Sequence, residues 1–349
     1  MEKVVVSVIV PIYNVKEFID GGINQLLNQS YPNFEVILVD DGSTDGSFEE
    51  CKRWSDEDSR IVVLHQQNQG AGAARNLGIE NAKGKYIYFY DIDDEISPRL
   101  LEYNVQMMEK YAVDMIVFGY TSTDVTYKSK VAVDFSQTHI QSNLQLRDVY
   151  VDEFVLKVNG FPWNKFYSKS FLDKYHLRFE NQRIQQDEVF NMLCYKHVER
   201  MYISPMVLYD YYVYAKGNTR SRFIPDRFDI YKSVRQHFED LKVFWELDDT
   251  RLDSYLCKRF YDSVISCMLF NLTHPKCTFS KQQKKDEMKR IMTDPLTIEA
   301  FAYADKTLLG IEQSLYRRAC QNRSLWQIKI LVAVFALLRN LYSKTRRDR

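Results

Sequence analysis

Residues 86–90 read Tyr-Ile-Tyr-Phe-Tyr and end abruptly in Asp91-Ile92-Asp93-Asp94-Glu95. An aromatic and β-branched run that stops in a cluster of acids reads as a buried strand whose carboxyl end opens into a polar crevice. Asp91 and Asp93 stand two apart, so an extended backbone can send both carboxylates to one side. Four acids together repel one another, and a hard divalent cation relieves that repulsion. Oxygen ligands with no neighbouring Cys or His suit Mg²⁺ or Mn²⁺ rather than Zn²⁺. Such ions are commonly held by one or two carboxylates plus substrate phosphates. The plainer alternative is that the acids cap a helix starting near Pro98, but Ser97 can do that alone. A second acidic pair, Asp40-Asp41, closes the apolar run 34–39 and leads into Gly42-Ser-Thr-Asp45-Gly46. These carboxylates can accept from a ribose hydroxyl or a base N–H, while the same run is good turn chemistry, and the two roles are compatible. Gly70-Ala-Gly72 at a helix start can offer backbone N–H groups to a diphosphate. Arg75 is then either its charged partner or a solvated surface residue.

The elements that must position these groups follow from periodicity. Residues 4–10 form a continuous apolar, β-branched strand that stops at Pro11-Ile12-Tyr13-Asn14. A helix with Ile19, Ile23, Leu26 and Leu27 on one face ends before Pro32. Further strands at 34–39, 61–64, 86–90 and 115–120 alternate with helices at 47–54, 70–82 and 98–111. This alternation predicts an α/β fold, a parallel sheet with helices on both faces, whose ligands sit beyond the carboxyl ends of the strands. Three of those ends carry Pro11 and Tyr13, Asp40 and Asp41, and Asp91 and Asp93. The chemistry converges on one edge. A dinucleotide fingerprint is excluded, because Pro-Ile-Tyr-Asn stands where G-x-G-x-x-G should follow the first strand, and no phosphate-binding G-x-x-x-x-G-K-[ST] occurs either.

Residues 6–14, Val39-Asp-Asp-Gly-Ser-Thr-Asp45, Asn68-x-Gly70-x-x-x-Ala74-Arg75-Asn76 and Phe89-Tyr-Asp91-Ile-Asp93-Asp94 together resemble family 2 glycosyltransferases. The match is in the right order over the first 120 or so residues. The resemblance implies a GT-A fold, a mixed Rossmann-like sheet flanked by helices, with a nucleotide-diphospho-sugar donor and inversion at the anomeric carbon. In the family, positions matching Pro11, Tyr13 and Asp40 hold the nucleobase. The position matching Asp91 meets the ribose, and that matching Asp93 binds the metal, Mn²⁺ or Mg²⁺, on the diphosphate. Asn14, Asp41, Asn68, Gly70, Arg75 and Ile92 complete the expected donor set. Tyr90 stands where the family often has Leu.

Phe161-Pro-Trp-Asn-Lys165-Phe-Tyr resembles the family's Trp-Asn-Lys-Leu-Tyr stretch and adds Lys165 to the donor set. Gln185-Gln-Asp187-Glu188-Val-Phe190 lies where the family reads Glu-Asp-x-x-Phe with the Asp as general base. Gln186 replaces the Glu, so Asp187 inherits the role and Glu188 is its rival; taken alone, the pair also reads as acids at a helix N-terminus. In the loop 216–221, Lys216 and Arg220 stand where family members place groups on the diphosphate, although the spacing departs from the usual pattern.

The chain has 349 residues, 45% hydrophobic and 27% charged, an ordinary globular balance. The organisation expected is a catalytic domain at 1–224, with a nucleotide-sugar half to about 120 and an acceptor half from 121, then a helical region at 225–349. The polar stretch 121–142 reads as a loop over the acceptor side, and long helical patterns occupy 228–245, 252–272 and 281–292. A formal net charge of zero argues against nucleic acid as the partner. Six scattered cysteines at no metal or redox spacing suit reduced thiols in a cytosolic setting, and six unclustered histidines read as ordinary core or surface residues. The N-terminus lacks the features of a signal peptide, and no apolar run approaches the roughly 20 residues that span a bilayer. Residues 326–342 are apolar nearly all round, and Arg339, Lys344, Arg346, Arg347 and Arg349 make the end basic. That tail either packs on protein, as in a homodimer, or docks peripherally on anionic lipid at the inner face of the cell membrane.

The reading is a metal-dependent inverting transferase acting on a glycan or lipid-linked acceptor in surface polysaccharide or glycolipid synthesis. Two rivals stand beside it. One is an inactive glycan-binding or scaffold protein on the same fold. The other is an Asp-nucleophile phosphotransferase, which would carry its Asp-x-Asp on the first strand rather than after three βα units.

Overall fold

The computed structural model describes residues 3–126, 128–157, 160–214, 222–306, 311–324 and 326–335. The chain divides into two compact units, Met1–Lys216 with Val243–Leu247, and Gly217–Lys242 with Asp248–Arg349.

The first unit begins β1 (Val6–Ile12), α1 (Lys16–Leu27), β2 (Phe34–Asp40), α2 (Ser47–Glu57), β3 (Ile61–His65), α3 (Ala71–Asn81) and β4 (Tyr86–Phe89). β1 pairs in parallel with β2 and β4, and β2 with β3. Strands β2 and β4 are buried at every position, so they read as predominantly apolar rather than alternating runs, with Glu35 the polar exception inside β2 and Asp40 at its end. Helix α3 lies unusually close to β1: a Cβ on Gly78 would come within 2.3 Å of Ile9 Cγ2.

The chain continues through β5 (Glu95–Ile96), α4 (Leu100–Tyr111), β6 (Met115–Asp124), β7 (Ser129–Val133), β8 (Thr138–Ile140) and α5 (Asn143–Tyr150), which runs into a π turn, Val151–Val155. Then come β9 (Lys165–Ser168), α6 (Lys169–Lys174), α7 (Gln186–His197) and β10 (Met201–Val213). The sheet order is β3-β2-β1-β4-β9-β6-β10-β5, with β7 on β6 and β8 on β10.

The mixed sheet that the family resemblance implies is formed: β9 inserts between β4 and β6 and runs antiparallel to both, which the strand–helix alternation alone does not predict. One expectation needs correction. The stretch 121–142 is not simply a loop. β6 extends into it, β7 folds back on that extension, and β8 pairs with β10. Thr and Val favour extended backbone, and an exposed edge strand needs little apolar surface, so polarity alone misled. β10 also carries register shifts between Ile203 and Tyr209, around Pro205, which cannot donate to a ladder.

The second unit contains most of α8 (Arg227–Trp245), then α9 (Thr250–Ser266) running into a π turn, Cys267–Asn271, α10 (Lys281–Thr293), α11 (Pro295–Lys306), α12 (Ile311–Gln321) and helical residues 326–335. Its core gathers Phe228, Phe260, Val264, Met268, Ile291 and Phe301. In the tail, Ile328 is fully buried in that core with Leu331, Val332 and Phe335 packed against it. Trp326, Ile330 and Val334 are 72%, 41% and 44% exposed, so the segment's apolar circumference is half packed and half bare. The basic residues from Arg339 onward lie outside the described residues. Among the described residues no helix is long and apolar enough to cross a membrane. All six cysteines are free thiols.

Candidate active site

The β1–β2 register sets Ile12 beside Asp40, and the Asp41 N–H donates to the Ile12 carbonyl at 2.8 Å. Asp40 is fully buried; its carboxylate meets His65 Nδ1 at 2.7 Å and accepts from the Ser43 N–H at 3.3 Å. His65 was read from the sequence as ordinary. It is the last residue of β3 and sits opposite Asp40 in the ladder, a pairing that spacing along the chain does not reveal. Asp41 is spent on structure. It accepts from Gln66 Nε2 at 2.7 Å and from the Gln69 and Gly70 N–H groups at 2.8 Å each, fastening the turn that precedes α3. Gly42, at φ +74°, leaves room for the Asn68 N–H, which would lie 2.9 Å from an added Cβ. Asn14 closes the other side, donating its N–H to Ser43 Oγ at 3.1 Å and accepting from the Thr44 N–H at 2.8 Å. Tyr13, 41% exposed, stands at the rim, and Pro11 lies one residue inside the strand end.

Beyond β4 the acids separate by environment. Ile92 is 3% exposed and plugs inward against α1, where a Cβ on Gly22 would fall 2.5 Å from Ile92 Cγ1 and 2.7 Å from its carbonyl oxygen. Asp91 and Asp93 flank that plug and stay half-buried. Burial, reinforced by the neighbouring Asp91, pushes the Asp93 carboxyl up to about 6. Asp94, 3% exposed, turns away from the pair. It accepts from Tyr209 Oη at 2.6 Å and the Tyr212 N–H at 2.8 Å, tying the turn to β10. Burial raises its pKa well above the ordinary value, Asp93 and Asp91 add to this, and the two donors pull the other way. Among the described residues no three acids, histidines or cysteines converge where they could hold a metal ion, so the four-acid cluster of the sequence resolves into the pair Asp91 and Asp93, the strut Asp94 and an exposed Glu95.

Helix α3 joins this edge to α7. Arg75, 5% exposed, donates from Nη2 to Asp91 Oδ1 at 2.8 Å and lies over the Phe179 ring at 5.4 Å. The Asn76 amide grips the backbone of Phe179 twice, donating to its carbonyl and accepting from its N–H, both at 2.8 Å. A Cβ on Gly72 would approach Gln186 Cγ to 3.1 Å. These contacts deliver the first turn of α7, with Asp187, to the neighbourhood of Arg75. Burial raises the Asp187 pKa; the Arg75 charge opposes this and Glu188 adds to it. Glu188 backs onto Gly160, whose added Cβ would be 3.2 Å from Glu188 Cβ. Phe190 anchors the helix beneath β4, stacked on Phe179 at 4.0 Å and edge-on to Phe89 at 5.9 Å.

The description Glycosyl transferase family 2 matches residues 7–175. The uncharacterized glycosyltransferase EpsJ of Bacillus subtilis (strain 168) is 30% identical over 341 residues, 95% of each chain. The chain belongs to glycosyl transferase family 2. Putative glycosyltransferase EpsH of the same strain is 36% identical over 182 residues, so the chain spans only about half (51%) of that relative's length. The crystal structure of S. aureus TarS 1-349 in complex with UDP-GlcNAc superposes with a TM-score of 0.61 at 19% identity, covering 95% of this chain and 92% of that one. The shared architecture is the GT-A fold.

In this family 2 chain not every residue expected at the donor site reaches it. Lys165 is fully buried, donating to the Phe161 carbonyl and to Asn164 Oδ1 at 2.9 Å, and burial drives its pKa well below the usual lysine value. It braces the turn before β9 from inside the core. Ile92 contributes packing by its side chain, and Asp41 is consumed by the turn. Lys216 and Arg220 lie outside the described residues. Asn76, by contrast, was not among the site residues expected from the sequence, and Gly72 was expected only in a diphosphate loop, yet the two bring the halves of the site together.

Proposed function

We propose that this chain transfers a sugar from a nucleotide-diphospho-sugar to a hydroxyl of a glycan or lipid-linked acceptor, with inversion at the anomeric carbon. The observation that carries the reading is Arg75. It binds Asp91 at the strand end at 2.8 Å, and its charge also acts on Asp187, so the acid pair and a carboxylate of raised pKa share the influence of one buried cation. A raised pKa is what a general base working near neutral pH needs. The UDP-GlcNAc in the TarS complex supports a nucleoside diphosphate sugar as the donor class.

In this reading the nucleobase packs by Tyr13 at the Asp40 strand end, where His65 holds the Asp40 carboxylate, while Asp91 receives the ribose. The Asp187 carboxylate takes the proton of the acceptor hydroxyl as its oxygen attacks the anomeric carbon, opposite the diphosphate. The bond from that carbon to the phosphate oxygen breaks, and its electron pair leaves with the nucleotide. Asp93 and Asp91 fit a hard divalent ion: an all-oxygen pair, electrostatically costly when empty, with coordination left for substrate phosphates. Such an ion, Mg²⁺ or Mn²⁺, would neutralise charge on the departing diphosphate.

We assign catalysis to residues 1–224 and a supporting role to the helical region. The bare row Trp326, Ile330 and Val334, followed in sequence by basic residues, supports peripheral attachment to anionic lipid at the cytoplasmic face, where a lipid-linked acceptor would lie. The test is nucleotide release from a panel of UDP- and GDP-sugars with Mn²⁺, with and without acceptor extracts. Asp187→Asn should bind donor as wild type does while turnover falls about 10²-fold or more. Donors that bind but never release nucleotide would make this a binding protein on a transferase fold.

A further inference from the structure

Between the Asp93–Asp94 turn and Glu188 lies an aromatic stack that the transfer mechanism leaves unused. Trp163 is its centre, stacked on Tyr209 at 4.3 Å and 11° and on Phe161 at 4.8 Å and 15°, with Tyr211 at 5.3 Å and 22°. Tyr120 meets Trp163 edge-on at 4.8 Å. Both ends of the stack are tied to the site. Tyr209 donates its hydroxyl to Asp94 at one end. At the other, Phe161 follows Gly160, which packs on Glu188 and whose carbonyl accepts from Asn191 Nδ2 at 2.8 Å.

Trp163 and Tyr209 are buried, at 2% and 1% exposure, whereas Phe161 and Tyr211 are half-buried. Tyr209 and Tyr211 stand two apart on β10 and so share a face of the strand. The Phe161 and Tyr211 rings lie 5.9 Å apart and tilted by 34°, forming the accessible margin of an otherwise sealed stack. The two partly open rings pack on Trp163, and Phe161 adjoins Gly160, which lies against Glu188. Rings fixed from behind lose little freedom when something lies on them, which is how a preorganised surface gains affinity. Their faces suit the C–H face of a sugar ring, which carries weak positive charge against the ring's negative face.

Building on the transferase reading, we infer that Phe161 and Tyr211 form the acceptor subsite, taking a pyranose ring by stacking and holding its hydroxyl toward Asp187 and Glu188. The substrate class is therefore a cyclic sugar acceptor rather than an open-chain polyol. The Lys165 ammonium, close in sequence to Phe161, is turned into the core and offers this margin no charge.

The test uses the full chain with methyl β-D-glucopyranoside, galactopyranoside and N-acetylglucosaminide as probes, alongside glycerol and ribitol. Saturation-transfer NMR should show at least one pyranoside bound through its C–H face, and neither polyol. Phe161→Leu and Tyr211→Leu should weaken that pyranoside roughly tenfold while UDP affinity stays within about twofold, and Tyr211→Phe should bind as wild type does. Binding of no pyranoside, equal binding by the leucine variants, or a parallel loss of UDP affinity would each overturn the subsite. Pyranoside binding that depends on these rings, without nucleotide release from any donor, would uphold the subsite and sink the transfer reading instead.

Discussion

Asn76→Ala is the sharpest probe of how the site is assembled. The side chain makes two 2.8 Å hydrogen bonds to the backbone of Phe179, and through that segment it fixes where α7 begins. Each such bond contributes about 1 kcal/mol net, rising toward about 3 kcal/mol where the abandoned backbone group stays away from water. Both groups are only part-buried, so the pair should be worth about 2–4 kcal/mol. Alanine's better helix propensity returns roughly 0.5 kcal/mol. The variant should therefore lose about 1.5–3.5 kcal/mol and remain folded, since domains of ordinary stability have about 5–15 kcal/mol to draw on. Function should suffer unequally. Arg75 and Asp91 stay on their own elements, so donor affinity changes little, while Asp187 loses its fixed position and turnover falls. Urea unfolding followed by circular dichroism gives the first quantity; donor titration and initial transfer rates give the others. A stability change below about 0.5 kcal/mol would refute the hydrogen-bond argument. A donor affinity that falls in step with rate would refute the positioning argument.

The pKa of Asp93, about 6 against an ordinary 3.8, means that the protonated form is favoured by folding. The associated stability is full below the ordinary value and lost as pH rises through about 6, so metal-free Asp93→Asn should exceed wild type at pH 8 by up to roughly 3 kcal/mol. The gap should close toward pH 4 in urea melts with chelator, and Mn²⁺ should stabilise wild type alone; identical pH slopes for both proteins would disprove it. Asp187 is raised in the same direction, so the acid limb of turnover should lie above the usual aspartate range and disappear in Asp187→Asn, as a pH–rate profile will show. Gly22→Val must displace the Ile92 carbonyl, costing about 1–3 kcal/mol and weakening donor binding; unchanged donor affinity would show that the acid turn does not lean on α1. Trp326→Ser with Ile330→Ser alters only exposed positions, so it should preserve the melting temperature yet reduce sedimentation with anionic vesicles, whereas equal sedimentation would remove the lipid reading.

The parallel half of the sheet was legible because strands buried on both faces are predominantly apolar, and β1, β2 and β4 are, the inner polar exceptions Ser7 and Glu35 being hydrogen-bonded to each other. The acids at their ends were legible because such runs stop so sharply. β9 was not, since four residues carry too little pattern and its partners β4 and β6 are distant in sequence. Lys165 misled for a related reason: a lysine in a motif suggests a phosphate partner, yet here the ammonium satisfies a carbonyl and an amide in the core. Asp94 looked like one more ligand beside Asp93, and only the approach of β10 reveals a donor for each of its oxygens. Asn76 lay inside a recognised motif, but nothing along the chain points from it to Phe179.

The insertion of β9 bears on how this chain is made. During synthesis the parallel strands leave the ribosome long before Lys165–Ser168, and until then Tyr86–Phe89 has a bare edge where β9 will bind, as does β6. Unpaired edges of this kind recruit other strands. Non-local closure is also slow, because the intervening chain must be ordered before the contact forms. A fragment stopping near residue 120 should therefore behave as a sticky intermediate rather than a free-standing donor-binding module. Any shuffling of acceptor specificity between such proteins would have to carry β9 with a compatible β4, since the join between the two halves runs through the middle of the sheet.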